Sequence, residues 1–265
     1  MSTIEWQPGR GGAEDFIITN TTTDVSPTAA TRPVTGALWQ PERHDETTPL
    51  ILCGHGASGD RYQAPIVHLA NRFLRECGYA TLAIDGPVHG LRQSGPGGRE
   101  ALSGEMQRPG FIDDMVRDWR TALTKISAER NLGLGPLGYF GLSMGTIFGL
   151  PLLAGAGKDG LNVRAAALGL AGTTGAVSFI SQRLLEDAGT ISHPVAFLMQ
   201  LEDELFPRDG YLELFDALAT PDKRLHANPG LHPEIPGEEV AFCFDFLAAR
   251  MNAEVPRNIT NPIAD

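Results

Sequence analysis

Cysteine is scarce: Cys53, Cys77 and Cys243 are odd in number, far apart and never in a C-x-x-C pair, which excludes a disulfide framework or a thiolate zinc site as the source of stability. Positive charge is short as well. Against 32 Asp and Glu stand 21 Lys and Arg, a net charge of −11, which argues against a nucleic-acid backbone or an anionic membrane surface as partner. No run of about 18 apolar residues occurs, so no membrane-spanning helix is expected. Residues 1–12 hold no apolar stretch behind a basic start, which makes a cytoplasmic location the expectation and the N-x-T sequons at Asn20 and Asn258 incidental. The seven histidines form neither H-x-x-x-H nor H-E-x-x-H, so no metal is expected. Repeats of roughly 20 to 50 residues are missing too, which disfavours a solenoid or propeller.

What is present is an alternation of apolar strand-like runs and amphipathic stretches across 265 residues, enough chain for a single domain that buries about 70–75% of its unfolded surface. Strands are expected at Asp15–Thr19, Val34–Gln40, Pro49–Cys53, Tyr79–Ile84, Leu137–Leu142, Val163–Leu170, Val195–Gln200 and Arg224–Ala227. Helices are expected at Gln63–Glu76, Phe111–Arg130, from Thr146, and at Val177–Asp187, Arg208–Leu218 and Glu238–Met251, before a polar tail at about residues 252–265. Residues 87–110, rich in Gly, Pro, Arg and Ser, read as one long loop insertion. This order implies an α/β fold: a mainly parallel sheet covered on both faces, with ligands at the carboxyl ends of its strands.

Gly141-Leu142-Ser143-Met144-Gly145 is a G-x-S-x-G placed between an expected strand and an expected helix, the context of a nucleophile elbow. The glycines are needed because a strand that turns at once into a helix leaves no room for side chains two positions either side of the serine. A serine hydroxyl needs a base, and the base an orienting acid. An acidic cluster, Leu201-Glu202-Asp203-Glu204-Leu205, follows the Val195–Gln200 strand and offers Asp203, with Glu202 and Glu204 as competitors. Asn228-Pro229-Gly230-Leu231-His232-Pro233 sets His232 in a loop before the closing helix, with His226 its competitor.

The order Ser143, Asp203, His232, together with Gly54-His55-Gly56-Ala57-Ser58-Gly59 and Asp85-Gly86-Pro87-Val88-His89-Gly90, resembles the α/β-hydrolase superfamily over nearly the whole chain. Within it the chain is most similar to small, dienelactone-hydrolase-like carboxylesterases. Dienelactone hydrolases use a cysteine where this chain has Ser143, so their substrate does not carry over. The resemblance implies an eight-stranded, mainly parallel sheet without a large lid domain, and a serine carboxylesterase that works through an acyl-enzyme without a cofactor. It also implies an oxyanion hole from the Ala57 and Met144 N–H groups, with His55, Asp85 and His89 organising the loops around it. The expected partner is a small-molecule ester, with neither nucleic acid nor membrane; a homodimer is left open.

Phe111, Phe179 and Phe206, with Met144, are candidates for an apolar substrate pocket. Arg92, Arg99 and Arg108 are candidates to meet a substrate carboxylate, against their reading as solvated surface residues. Two other classes compete. Gly54–Gly59 also reads G-x-G-x-x-G after a strand, a dinucleotide-binding pattern, but no helix begins directly beyond its third glycine, and Ser143, Asp203 and His232 are then unexplained. A ligand-binding protein without catalysis leaves the triad idle. Thioesterases, peptidases, acyltransferases and lyases share the same site plan.

Overall fold

A computed structural model describes residues 2–20, 32–95 and 97–251. The polar tail, the Thr-rich stretch after residue 20 and the Asn258 sequon lie outside the described residues. Among the described residues nine strands form one sheet: β1 (Ser2–Pro8), β2 (Glu14–Asn20), β3 (Val34–Trp39), β4 (Leu50–Gly54), β5 (Ala80–Ile84), β6 (Leu137–Leu142), β7 (Val163–Gly169), β8 (Val195–Gln200) and β9 (Lys223–Asn228). Their order is β1-β2-β3-β5-β4-β6-β7-β8-β9. The first three run antiparallel to their neighbours, and every pairing from β5 to β9 is parallel. The sheet therefore has one strand more than the eight expected. β1 pairs along its full length with β2, in register from Ser2–Asn20 to Pro8–Glu14.

The inner parallel strands, β4 to β8, are buried on both faces over nearly all their length, as their apolar runs require, whereas the edge strand β9 is polar and only partly buried. In β4, Leu50 and Leu52 face one core while Ile51 and Cys53 face the other; Val195, Phe197 and Met199 of β8 alternate in the same way with Ala196 and Leu198. The second core lies under α1 (Ala64–Arg72, extended by a wider turn at Phe73–Cys77) and α7 (Gly237–Met251). The first is covered by α2 (Gly98–Met106), α3 (Phe111–Arg130), α4 (Met144–Gly155), α5 (Ser181–Ala188) and α6 (Arg208–Ala217). α3 shows the cause plainly: Phe111, Ile112, Met115, Val116, Trp119, Ala122, Leu123 and Ile126 make a buried stripe at helical spacing. Two acids open the helix, and Asn131 in the left-handed region closes it.

α2 corrects the reading of residues 87–110 as a continuous loop. Its sequence, GREALSGEM, holds two glycines and little amphipathic signal. Its Glu105, buried, makes a long-range ion pair with Arg32 at 2.6 Å and a local one with Arg108 at 2.8 Å, and Leu102 packs into the first core. The helix expected from Val177 begins later, at Ser181, after a 3-10 stretch over Gly175–Ile180.

Candidate active site

β6 ends at Leu142 and α4 starts at Met144, leaving one residue to reverse the chain. That residue is Ser143, at φ 57° and ψ −119°, a conformation that costs a non-glycine residue about 1–3 kcal/mol. The surroundings hold it there. A Cβ on Gly141 would sit 2.7 Å from the Gly145 carbonyl oxygen, and one on Gly145 would strike the Gly54 carbonyl. Ser143 N–H donates to Gly169 O at 2.9 Å. The buried Thr146 hydroxyl accepts Gly169 N–H at 2.8 Å and shares its proton between Gly141 O and Gly169 O. Tyr139 OH caps Gly145 O at 2.7 Å. Neither Thr146 nor Tyr139 stood out in the sequence.

Ser143 Oγ lies 2.9 Å from His232 Nε2, and His232 Nδ1 lies 2.7 Å from Asp203 Oδ2. Because a carboxylate only accepts, Nδ1 carries the proton and Nε2 is left to accept from the serine. The Asp203 side chain is wholly buried. Burial opposes its ionisation, but bonds from His232, Tyr211 and the Leu205 and Phe206 N–H groups outweigh burial and hold its carboxyl below the ordinary range. Tyr211 OH donates to the same Oδ2 that meets His232; nothing in the sequence pattern pointed to Tyr211. Glu202 and Glu204, the competitors of Asp203, hold the histidine loop by its backbone: Gly230 N–H donates to Glu202 at 2.5 Å and His232 N–H to Glu204 at 2.9 Å. His226, the alternative base, pairs instead with Glu239 at 2.9 Å.

The Ala57 and Met144 N–H groups donate to no other group among the described residues. Met144 N–H also sits at the positive end of α4. The Ala57 loop is braced from behind. Ala57 O accepts His89 Nε2–H at 3.0 Å, and Gly56 N–H donates to Gln63 Oε1 at 2.7 Å. His55 donates from Nδ1 to Gly56 O at 2.8 Å and accepts Gly86 N–H at Nε2, also at 2.8 Å. With both nitrogens committed and burial pushing its pKa down to about 4, His55 is a neutral strut rather than a proton carrier. Asp85 accepts from Thr35, from the Arg61 guanidinium and from the Arg61 and Leu91 N–H groups, and Arg61 is bidentate to Asp15 on β2.

Two cavities meet at Ser143, and Ala57 and Leu205 line both. One, of about 280 Å³, runs between the Gly54–Ser58 loop, the start of α1 and His232, Pro233 and Ile235. The other, of about 230 Å³, is walled by Leu102, Met106, Met144, Ile147, Val177 and Phe206. Of the three expected pocket aromatics only Phe206 lines either of these two cavities, its ring 5.6 Å from the His232 ring. Phe111 is spent in the α3 stripe, edge-on to Phe148, and Phe179 is 55% exposed and lines neither cavity. Arg92 pairs with Asp118, and Arg108 with Glu105 and Asp114; the Arg99 side chain lies outside those described. Three turn residues separate Asp60 from the start of α1 at Ala64, so the glycines of Gly54–Gly59 do not open a helix as a dinucleotide site demands. Among the described residues no cluster of His, Cys, Asp and Glu is placed to hold a metal ion, and no helix is long and apolar enough to cross a membrane.

No family model and no curated protein sequence matches the chain. Solved structures do. An esterase described as cold-adapted, from an Arctic intertidal metagenomic library and bound to PEG, is 31% identical over 94% of this chain and 98% of its own, with a TM-score of 0.75. Two more distant structures share the fold. The Pyrococcus furiosus esterase Pf2001 is 17% identical over 94% of this chain and 97% of its own, with a TM-score of 0.63. An acetyl xylan esterase from Paenibacillus sp. R4 is 16% identical over 94% and 88%, also with a TM-score of 0.63. The chain belongs to the α/β-hydrolase esterases and is a hydrolase of the carboxylesterase type.

Proposed function

We propose that this esterase cleaves carboxylic esters of small molecules through an acyl-enzyme, with Ser143 as nucleophile, His232 as base and then acid, and Asp203 as the group that orients the imidazole. The observation that carries this reading is the unbroken hydrogen-bond chain Ser143 Oγ, His232, Asp203 at the carboxyl ends of β6, β8 and β9. Ser143 Oγ attacks the ester carbonyl carbon as its proton passes to His232 Nε2. The negative charge that develops on the carbonyl oxygen falls between the Ala57 and Met144 N–H groups, which donate to no acceptor among the described residues. The ester C–O bond then breaks, the alcohol leaves with the proton from His232, and the acyl group stays on Ser143. Water repeats the sequence in reverse roles: His232 takes its proton, the hydroxide oxygen bonds the acyl carbon, and Ser143 Oγ departs with the proton as the carboxylic acid is released.

The two cavities, about 280 and 230 Å³, meet at Ser143 and together lie toward the lower part of the roughly 300–1,000 Å³ of small-molecule pockets, which supports an ester of a small molecule as substrate. Hydrolysis of p-nitrophenyl acetate, butyrate and octanoate by wild type and Ser143→Ala, at pH 6 and pH 8, tests the reading. Wild-type turnover that falls by at least about 10³-fold in S143A at both pH values is the expected result. Turnover that survives S143A overturns it. Failure of an organophosphonate to label Ser143 overturns catalysis altogether in favour of ligand binding.

A further inference from the structure

We infer that the ester binds in one orientation only, its acyl chain in the cavity walled by α2 and its alcohol in the cavity walled by the histidine loop, so that Leu102 and Met106 gauge the acyl group and Ile235 gauges the alcohol. This rests on the roles proposed above for Ser143 and His232. The tetrahedral carbon bound to Ser143 Oγ carries three further substituents. The oxyanion is committed to the Ala57 and Met144 N–H groups. The leaving oxygen must come within about 2.6–3.2 Å of His232 Nε2, because that nitrogen holds the only proton available to it. The alcohol is therefore on the histidine side, and the acyl carbon chain takes the remaining direction.

The two cavities divide along the same line. His232, Pro233 and Ile235 wall the larger cavity and none of them touches the smaller one; Leu102, Met106, Met144 and Ile147 wall the smaller one and none touches the larger. Ala57 and Ser143 stand at the junction of both, where the reacting carbon must lie. The acyl side is apolar apart from Ser103 and Gln107, suited to an unbranched hydrocarbon chain. Its outer wall does not drift, because Glu105, one residue before Met106, anchors α2 to Arg32, which also donates to Pro87 O at 2.8 Å. Leu102 is buried, and Met106 and Ile235 are partly buried, so the latter two can be enlarged from the rim.

Wild type, Met106→Trp and Ile235→Trp are each assayed on two ester series: p-nitrophenyl acetate to octanoate, where only the acyl chain grows, and ethyl to octyl acetate, where only the alcohol grows. M106W should lower the octanoate-to-acetate ratio of kcat/KM at least about tenfold and leave the octyl-to-ethyl ratio unchanged. I235W should do the reverse. Each ratio is taken within one protein, so a loss of folded enzyme cancels. The opposite split, equal effects on both series, or no effect on either, overturns the orientation while leaving Ser143 catalysis intact. Absent wild-type turnover, or turnover of either series that survives S143A, overturns the catalytic reading and the orientation with it.

Discussion

Tyr211→Phe isolates one bond at the far end of the triad. The Asp203 carboxylate, wholly buried, accepts four hydrogen bonds: Leu205 and Phe206 N–H at Oδ1 (2.7 and 3.0 Å), His232 Nδ1–H and Tyr211 OH at Oδ2. The phenylalanine keeps the ring contacts of Tyr211 with Phe197 and Phe206 and removes only the hydroxyl. A hydrogen bond to a charged group contributes about 1.5–3 kcal/mol, so Y211F should lose that much stability at pH 7 by urea unfolding. Asp203 has its carboxyl depressed in the folded state, so the stability it adds is fully present above the ordinary value of 3.8 and lost as pH falls through the lower folded one. The gap between wild type and Y211F should therefore close below about pH 4. The rate responds differently. Oδ1 stays pinned by two backbone N–H groups, so the carboxylate keeps its aim and kcat should fall less than about tenfold, far from the roughly 10⁴-fold of an Asp-to-Asn change at such a position. A kcat loss beyond about 10³-fold in folded Y211F, or an unchanged stability at pH 7, would refute this account of Tyr211.

Thr146→Val keeps the shape but orphans the buried Gly169 N–H and strips the elbow carbonyls of a donor; a loss of about 1–3 kcal/mol should appear in urea unfolding, and an unchanged midpoint would count against the elbow's polar bracing. Arg61→Met leaves Asp15 and Asp85 as uncompensated buried charges, for which the expected cost is about 3–5 kcal/mol; a loss under about 1 kcal/mol would mean that the cluster is solvated. Burial pushes the pKa of His55 and of His193 from 6.5 down to about 4. The unfolded chain then binds more protons than the folded one between those values, and stability should fall as pH falls through that window, by up to about 3 kcal/mol for His55. Unfolding midpoints of wild type and His55→Asn from pH 7 to pH 4 check this: the slope should be shallower in H55N.

Ser143 was legible in the sequence because its constraint is local. The elbow must be flanked by residues without a Cβ, and two glycines at fixed spacing record that need. The acid was less legible, since Glu202, Asp203 and Glu204 look alike in one dimension. Only the fold sends Asp203 inward to the imidazole and the other two to the backbone of the histidine loop. Tyr211, eight residues past Asp203 on the next helix, left no signal at all. β1 was missed because it is an edge strand whose apolar residues, Ile4 and Trp6, are few and set among polar ones. α2 was missed because its two glycines lower its own propensity, while its support from the Arg32 ion pair and from Leu102 packed on the core is visible only in the fold. Phe111 and Phe179 show the reverse error, a residue type suited to a pocket but placed by its element: one faces the core from α3, the other faces solvent.

The buried charges behind the oxyanion loop have a purpose that net stability does not explain. A paired Arg and two carboxylates removed from water often contribute little overall, and a packed apolar cluster can match them. What an apolar cluster cannot do is fix direction. In the proposed reaction the Ala57 N–H would aid the transition state only if it pointed at the developing oxyanion before substrate arrives, since a donor that must first reorient gives back what it gains. Its carbonyl is held by His89, the neighbouring Gly56 by Gln63 and His55, and His55 by Gly86 N–H, directly after Asp85. Asp85 in turn is locked to Thr35 on β3 and, through Arg61, to Asp15 on β2. Every link is a directional bond with its partners nearly all accounted for, so the loop inherits the rigidity of the sheet. Under the proposed function, the antiparallel strands β2 and β3, far from Ser143 in sequence, are thereby part of the apparatus that would aim the proposed oxyanion hole.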